Sequence, residues 1–133
     1  MKILVDTNIV LDVMLKREPF YKSSLEILGL TKRDDVEEYV PASAITDIYY
    51  LAYRQLRDKE VVKKLMKKLL TVVSVASVSE QEIENALSLE WNDFEDSVQY
   101  SVAFVQEMEG IVTRNPNDYK EAKIKIWKPE ELL

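Results

Sequence analysis

The sequence predicts a three-layer α/β/α domain built on a five-stranded parallel sheet in the order 3-2-1-4-5. Three observations carry that reading. Ile3-Leu4-Val5 is a short, β-branched apolar run that reads as a buried strand, and it passes straight into a helical stretch through Asp6-Thr7-Asn8. Further short apolar runs then alternate with longer helical ones, the pattern of a parallel sheet covered on both faces. The 133 residues match one domain of usual size, large enough to bury a core.

Taken in order, Ile9 to Leu15 continues as the first helix, and Lys16 to Pro19 punctuates the chain, with Pro19 suited to a first helical position. Phe20 to about Lys32 reads as a helix with Tyr21, Leu25 and Leu28 along one face. Glu38 to Ala42 reads as a second strand, and Ser43 as the cap of the helix that follows. The helix from about Lys59 to Leu70 carries Val62, Leu65, Met66 and Leu69 on one side and Lys63, Lys64, Lys67 and Lys68 on the other. Thr71 to Val75 is the third strand. Ser79 with Glu82 is a capping-box pattern opening a helix to about Trp91. Phe94 to Met108 is apolar almost all round, so that helix should be largely buried, with Gly110 ending it. Ile111 to Thr113 and Ile124 to Trp127 complete the strands.

Composition narrows the chemistry. Apolar residues make up 47% of the chain and charged ones 32%, and only two glycines and four prolines argue against long linkers. No apolar stretch reaches the roughly 20 residues of a membrane span. The short N-terminal run already contains Asp6 and so lacks a signal-peptide layout; the expected location is cytoplasmic. The absence of cysteine excludes disulfides and thiolate chemistry, and the absence of histidine excludes imidazole bases and ligands. Any catalysis then falls to carboxylates, for which a hard divalent cation is the natural helper. A net charge of −6 argues against a generic nucleic-acid coat. It leaves room for a nuclease whose acids bind cations.

Four places stand out because each follows a strand or opens a helix: Asp6 with Asn8; Asp47, in the first turn after the second strand; Asp93, Glu95 and Asp96 at the entry to the buried helix; and Thr113 to Asp118 after the fourth strand. In the order 3-2-1-4-5 the switch point lies between strands one and four, so Asp6 and Asn115 face each other and Asp96 completes the wall. Singly, Asp47 and Asp96 need no function, because helix first turns favour acids. Asp12 reads as a solvated helix residue, Asn115-Pro116 as a turn, and the lysine face, Arg54 and Arg57 as solvated surface. Tyr49, Tyr50 and Tyr53 read as core and interface. Asp6 resists the bland reading, since an acid closing a buried strand loses solvation unless something compensates it.

At these residues the chain resembles the PIN-domain family. The resemblance rests on Ile3 to Asn8, on Pro41-Ala42-Ser43-Ala44-Ile45-Thr46-Asp47, on Asp93 to Gln99 and on Ile111 to Tyr119, in the family's order over nearly the full chain. It implies a five-stranded parallel sheet, an acidic pocket for Mg²⁺ or Mn²⁺, and ribonuclease activity. It further implies a VapC-like toxin, dimeric and held inactive by an antitoxin. Asp6 and Asp96 match the pocket's first and third acids, and Asp47 takes the place of the second, where many toxins have Glu. Asn8 and Thr113 match its polar supports. Asn115, where many toxins have Asp, or Asp118 supplies the last position, with Asp93 able to compensate.

The resulting expectation is metal-dependent hydrolysis of an RNA phosphodiester, with Asp6 and Asp96 as first ligands and Asp47 as a ligand through water or a base. A haloacid-dehalogenase-like phosphatase also ends its first strand with an acid, but it needs a second acid where Asn8 stands and a lysine after the fourth strand. The remaining alternatives are a PIN-fold binding module that has lost cleavage and an RNA-processing nuclease that is not a toxin.

Overall fold

The computed structural model describes residues 1–133. The elements run β1 (Lys2–Val5), α1 (Thr7–Met14), α2 (Tyr21–Gly29), β2 (Glu37–Pro41), α3 (Ala42–Leu56), α4 (Lys59–Leu69), β3 (Ser74–Ala76), α5 (Glu80–Ser88), α6 (Phe94–Val105), β4 (Gly110–Val112), β5 (Lys125–Trp127) and α7 (Pro129–Leu132), with 3₁₀ turns at Leu30–Lys32 and Pro116–Tyr119. The strands form one parallel sheet in the order β3-β2-β1-β4-β5, as the sequence predicts.

Side-chain alternation along β1 divides the interior. Ile3 and Val5 point into a core shared with Val40, Val112 and the apolar stripes of α1 to α4. Leu4 points the other way, with Ile111, into a core closed by α5 and α6. β1 therefore has no polar face, and its residues Ile3 to Val5 are fully buried. α6 is buried from Ser97 to Ala103, as its apolar circumference requires. No helix is long and apolar enough to cross a membrane.

Several boundaries differ from expectation, each for a physical reason. α3 begins at Ala42 with Pro41 as its N-cap, so Ser43 lies inside the first turn and caps nothing. Asp47 consequently sits in the second turn, where the dipole argument for an acid fades. β3 begins at Ser74, and Val73 spends its apolar character in the core just before the strand. Gly110 opens β4 rather than closing α6, and Glu107 turns the chain with a φ of 57°. What demands glycine there is close approach: a Cβ on Gly110 would meet the Lys125 carbonyl oxygen at 2.3 Å and the Trp127 ring at 2.6 Å. The capping box of Ser79 and Glu82 is present.

Candidate active site

β1 and β4 run side by side, and beyond Val5 and Val112 both lose their apolar character at once. The Asp6 N–H still donates to the Val112 carbonyl at 3.0 Å, so the pairing extends one rung past the strand. Asp6 is then the N-cap of α1, with extended backbone, but its side chain makes no cap hydrogen bond. The carboxylate accepts instead from the hydroxyl of Thr113, with Oγ1 to Oδ2 at 2.7 Å. Thr113 Oγ1 in turn accepts from the Asn115 N–H at 3.1 Å, which directs the hydroxyl proton onto Asp6. Thr113, fully buried, thus stands between Asp6 and Asn115, the two residues the topology brings face to face.

The remaining acids gather around this pair. Asp93 caps α6, accepting from the Asp96 N–H at 3.1 Å, and so fixes the first turn that carries Glu95 and Asp96. The 3₁₀ turn after Asn115 carries Asp118, whose N–H donates to the Asn115 carbonyl at 3.0 Å. Asp47, exposed on α3, lies near enough to Glu95 to repel it. Asn8 is half-buried in the first turn of α1. The acids and polar residues singled out from the sequence — Asp6, Asn8, Asp47, Asp93, Glu95, Asp96, Thr113, Asn115 and Asp118 — lie on segments that follow a strand or open α6.

Electrostatic repulsion links several of these acids. Burial raises the Asp6 carboxyl above the ordinary carboxylate range; the Thr113 hydroxyl, the Thr7 N–H and the Gln99 amide pull the other way, and Asp118 pushes it higher. Asp96 is pushed up to about 7, first by burial and then by Asp93, Asp118, Asp6 and Glu95. Glu95 is raised by burial and by Asp47, Asp93 and Asp6. Glu95 and Asp96 therefore each feel several other carboxylates, Asp6 feels one, and no cation offsets them. A cleft of about 410 Å³ opens beside them, lined by Trp91, Asp93, Asp96 and Asp118, with Lys120 as its one basic residue. Two wider hollows, of about 820 and 620 Å³, lie elsewhere and carry none of these acids.

Three groups on this wall carry no signal as single letters in the sequence. Gln99 is buried on α6, one turn beyond Asp96, with its Oε1 unpartnered; Thr7 Oγ1 is buried and unpartnered beside Asp6. Tyr119 is 1% exposed with a free hydroxyl, and burial followed by the charges of Asp6, Asp96 and Asp118 holds that phenol protonated. Trp91 packs against Tyr100 at 4.8 Å and Tyr119 at 6.1 Å, a rigid aromatic floor under the cleft.

Asp12 reverses its sequence reading. It is fully buried rather than solvated, and its carboxylate accepts from the Ser24 hydroxyl at 3.0 Å and pairs with Arg114 at 2.8 Å.

The donor set fits a hard divalent cation. Its ligands are oxygens alone, their mutual repulsion would be relieved by positive charge, and buried oxygens on Thr7 and Gln99 lack partners. No three carboxylates stand close enough to enclose a bare ion. Mg²⁺ does not require that, since it keeps several waters and is held by one or two carboxylates.

A family model described as "PIN domain" matches residues 2–117. No curated protein matches the chain. Among solved structures, a chain of VapBC2 from Rickettsia felis bound to a DNA fragment from their promoter superposes with a TM-score of 0.70 at 17% identity, covering 96% of this chain and 100% of its own. A chain of a toxin–antitoxin complex from Klebsiella pneumoniae gives 0.69 at 17% identity, over 95% of this chain and 96% of its own. VapC20 from Mycobacterium tuberculosis, a toxin that cleaves the sarcin–ricin loop, gives 0.64 at 16% identity, over 82% of this chain and 86% of its own.

Proposed function

This chain belongs to the PIN-domain family, and from that premise we propose that it is a metal-dependent endoribonuclease, the toxin of a toxin–antitoxin pair. The observation that carries the proposal is the gathering of acids at the switch point: Asp118 acts on Asp6, and Asp6 acts on both Glu95 and Asp96, whose carboxyls burial and neighbouring charge raise. Residues 1–133 act as one cytoplasmic nuclease domain. The toxin reading draws support from the solved structures of the same fold, two of which come from toxin–antitoxin complexes and a third from an RNA-cleaving toxin. By analogy an antitoxin protein is the expected partner. A homodimer is the expected assembly, for which the exposed Leu87, Phe94 and Phe104 on α5 and α6 offer apolar surface.

Asp6 and Asp96 would hold Mg²⁺ or Mn²⁺, with Asp47 reaching it through water and Asn8, Asn115, Asp118 and Asp93 completing the polar shell. When bound, the cation supplies Lewis-acid stabilisation of the charge that develops on the phosphate. The chain supplies the rest. Thr113 fixes the orientation of the Asp6 carboxylate through a hydroxyl whose own direction is set by the Asn115 N–H. Asp47, exposed on α3, is the candidate to accept a proton from an attacking water where it does not itself reach the metal through water. Lys120 at the cleft rim is placed to meet a phosphate of the RNA, and Trp91, packed on Tyr100 and edge-on to Tyr119, lines that wall.

A second reading, a PIN-fold binding module without turnover, is favoured by one observation: no ready-made three-carboxylate cluster exists, and an amide stands at Asn115. Incubating the purified chain with a pool of structured and single-stranded RNAs separates the two readings. Mg²⁺, Mn²⁺ or EDTA would be present, with Asp6→Asn and Asp96→Asn alongside. The nuclease reading expects cleavage that disappears with EDTA and falls to background in both variants. Cleavage retained in either variant removes that residue from the metal set. Metal binding with no product from any RNA favours the module.

A further inference from the structure

We propose that Asp12 and Arg114 form a positioning clamp, which holds the segment from Thr113 to Asp118 in register against Asp6. Its kinetic consequence rests on the nuclease reading; its structural consequence does not.

Asp12 lies in the second turn of α1, the helix that Asp6 opens. Its carboxylate is fully buried, and four groups from three places reach it: the Ser24 hydroxyl at 3.0 Å, Arg114 Nε at 2.8 Å, Arg114 Nη2 at 3.2 Å and, more distantly, Arg17 Nη1 at 3.9 Å. The Arg114 guanidinium also lies 3.8 Å above the Phe20 ring. A guanidinium hydrogen-bonded through Nη2, in ion-pair contact through Nε and stacked on an aromatic face has little freedom, and lysine cannot reproduce the planar stacking.

Arg114 is flanked in the chain by the two residues that orient Asp6. On one side Thr113 donates to Asp6; on the other, Asn115 donates its N–H to Thr113 and accepts the N–H of Asp118. The links close into a ring: Asp6, along α1 to Asp12, across to Arg114, along the backbone to Thr113, and back to Asp6. A ring closed at two points fixes the angle at which the segment leaves β4. With the Asp12–Arg114 contact gone, the segment is held only at its ends, by Thr113 on Asp6 and on the Trp127 carbonyl at 2.9 Å and by buried Tyr119, and Asn115 to Asp118 between them lose their brace. The pair touches neither the cleft nor the acids, so Arg114 and Asp12 are positioning residues. Binding of RNA is left alone, while the polar shell loses its geometry.

The test pairs Arg114→Lys with Phe20→Leu, a milder change at a half-exposed ring that weakens the same clamp without unpairing Asp12. Backbone amide exchange is measured on each folded protein, together with kcat and KM for RNA cleavage across a Mg²⁺ titration. The clamp predicts that amides from Thr113 to Tyr119 exchange about tenfold faster in Arg114→Lys while those of β1 and α6 hold their rates, with a smaller shift of the same kind in Phe20→Leu. It predicts a kcat lowered about 10–100-fold, more Mg²⁺ needed for half-maximal rate, and KM within about twofold of the parent. Unchanged exchange in that segment, or faster exchange spread evenly over the molecule, overturns the proposal and leaves an ordinary stabilising ion pair. If the parent cleaves no RNA yet the exchange response is local, the nuclease reading fails and the clamp stands.

Discussion

Asp6 and Asp12 belong to the same short helix, both buried, and the protein treats them in opposite ways. Asp12 is compensated in full: an arginine fork, a serine hydroxyl and a second arginine at longer range surround its carboxylate. Asp6 receives hydrogen bonds from neutral groups and faces Asp118 rather than a cation. A buried charge without a partner is expensive. Where the fold uses an acid for architecture, as at Asp12, it neutralises that acid internally; Asp6 is left without a charged partner, and the proposed function supplies one as a bound cation. Glu38 is a third case that sharpens the contrast. Both of its oxygens are buried without partners on β2, and burial alone pushes its carboxyl up to about 8, so at neutral pH it stays protonated and needs no cation.

The largest expected effect falls on the compensated end. Asp12→Ala strands the Arg114 guanidinium and should lower unfolding stability by about 3–5 kcal/mol, read from urea denaturation. A loss below about 1 kcal/mol would place Asp12 among the solvated helix acids that its sequence suggests. Next comes Glu38, with a sign fixed by linkage. Its folded pKa lies above the unfolded value of 4.5, so its contribution is fully present below pH 4.5, declines as pH rises, and is gone once pH passes about 8. Stability should fall by roughly 2–4 kcal/mol over that window, and Glu38→Gln should flatten the profile. Equal pH profiles for the two proteins would mean that Glu38 finds a partner in solution. The smallest effect, opposite in sign to that of Asp12, belongs to Asp6. Asp6→Asn should raise stability by about 1–2 kcal/mol in metal-free buffer. It should also abolish the rise in Tm that the proposed Mg²⁺ site predicts for the parent, which calorimetry would read. Destabilisation by Asp6→Asn would erase the distinction between the two ends of α1.

The sequence makes one of these acids legible and hides the other. Asp6 can be read because it stops a β-branched run and opens a helix, a local event. Asp96 can be read for a similar reason, since Asp93 caps the same turn. The sheet order follows from alternation and crossover handedness, and the strand pairings bear it out. Asp12 resembles any polar residue on an amphipathic helix, because its partners are Ser24 and Arg114, at separations of 12 and 102 residues that no local pattern reports. Gly110 is misread for the same reason. Its position after a helix suggests a terminator, while the true constraint is the Lys125 carbonyl and the Trp127 ring on the neighbouring strand. Val72 and Val73 look like strand residues because burial and β-branching are shared by core-facing loops. Tyr119 and Gln99 join the site only through the three-dimensional proximity of α6 and the 3₁₀ turn.

The sheet ends on both sides in strands of three residues, β3 and β5. An edge that short offers a neighbouring chain too few rungs to extend the ladder, and so resists the runaway polymerisation to which exposed strands are prone. Association of this molecule with itself or with another protein is thereby diverted to its helices. Helical surfaces recognise partners by side-chain fit, whereas a bare strand edge accepts almost any backbone. A molecule built this way can accumulate in a crowded compartment and remain selective about what it joins.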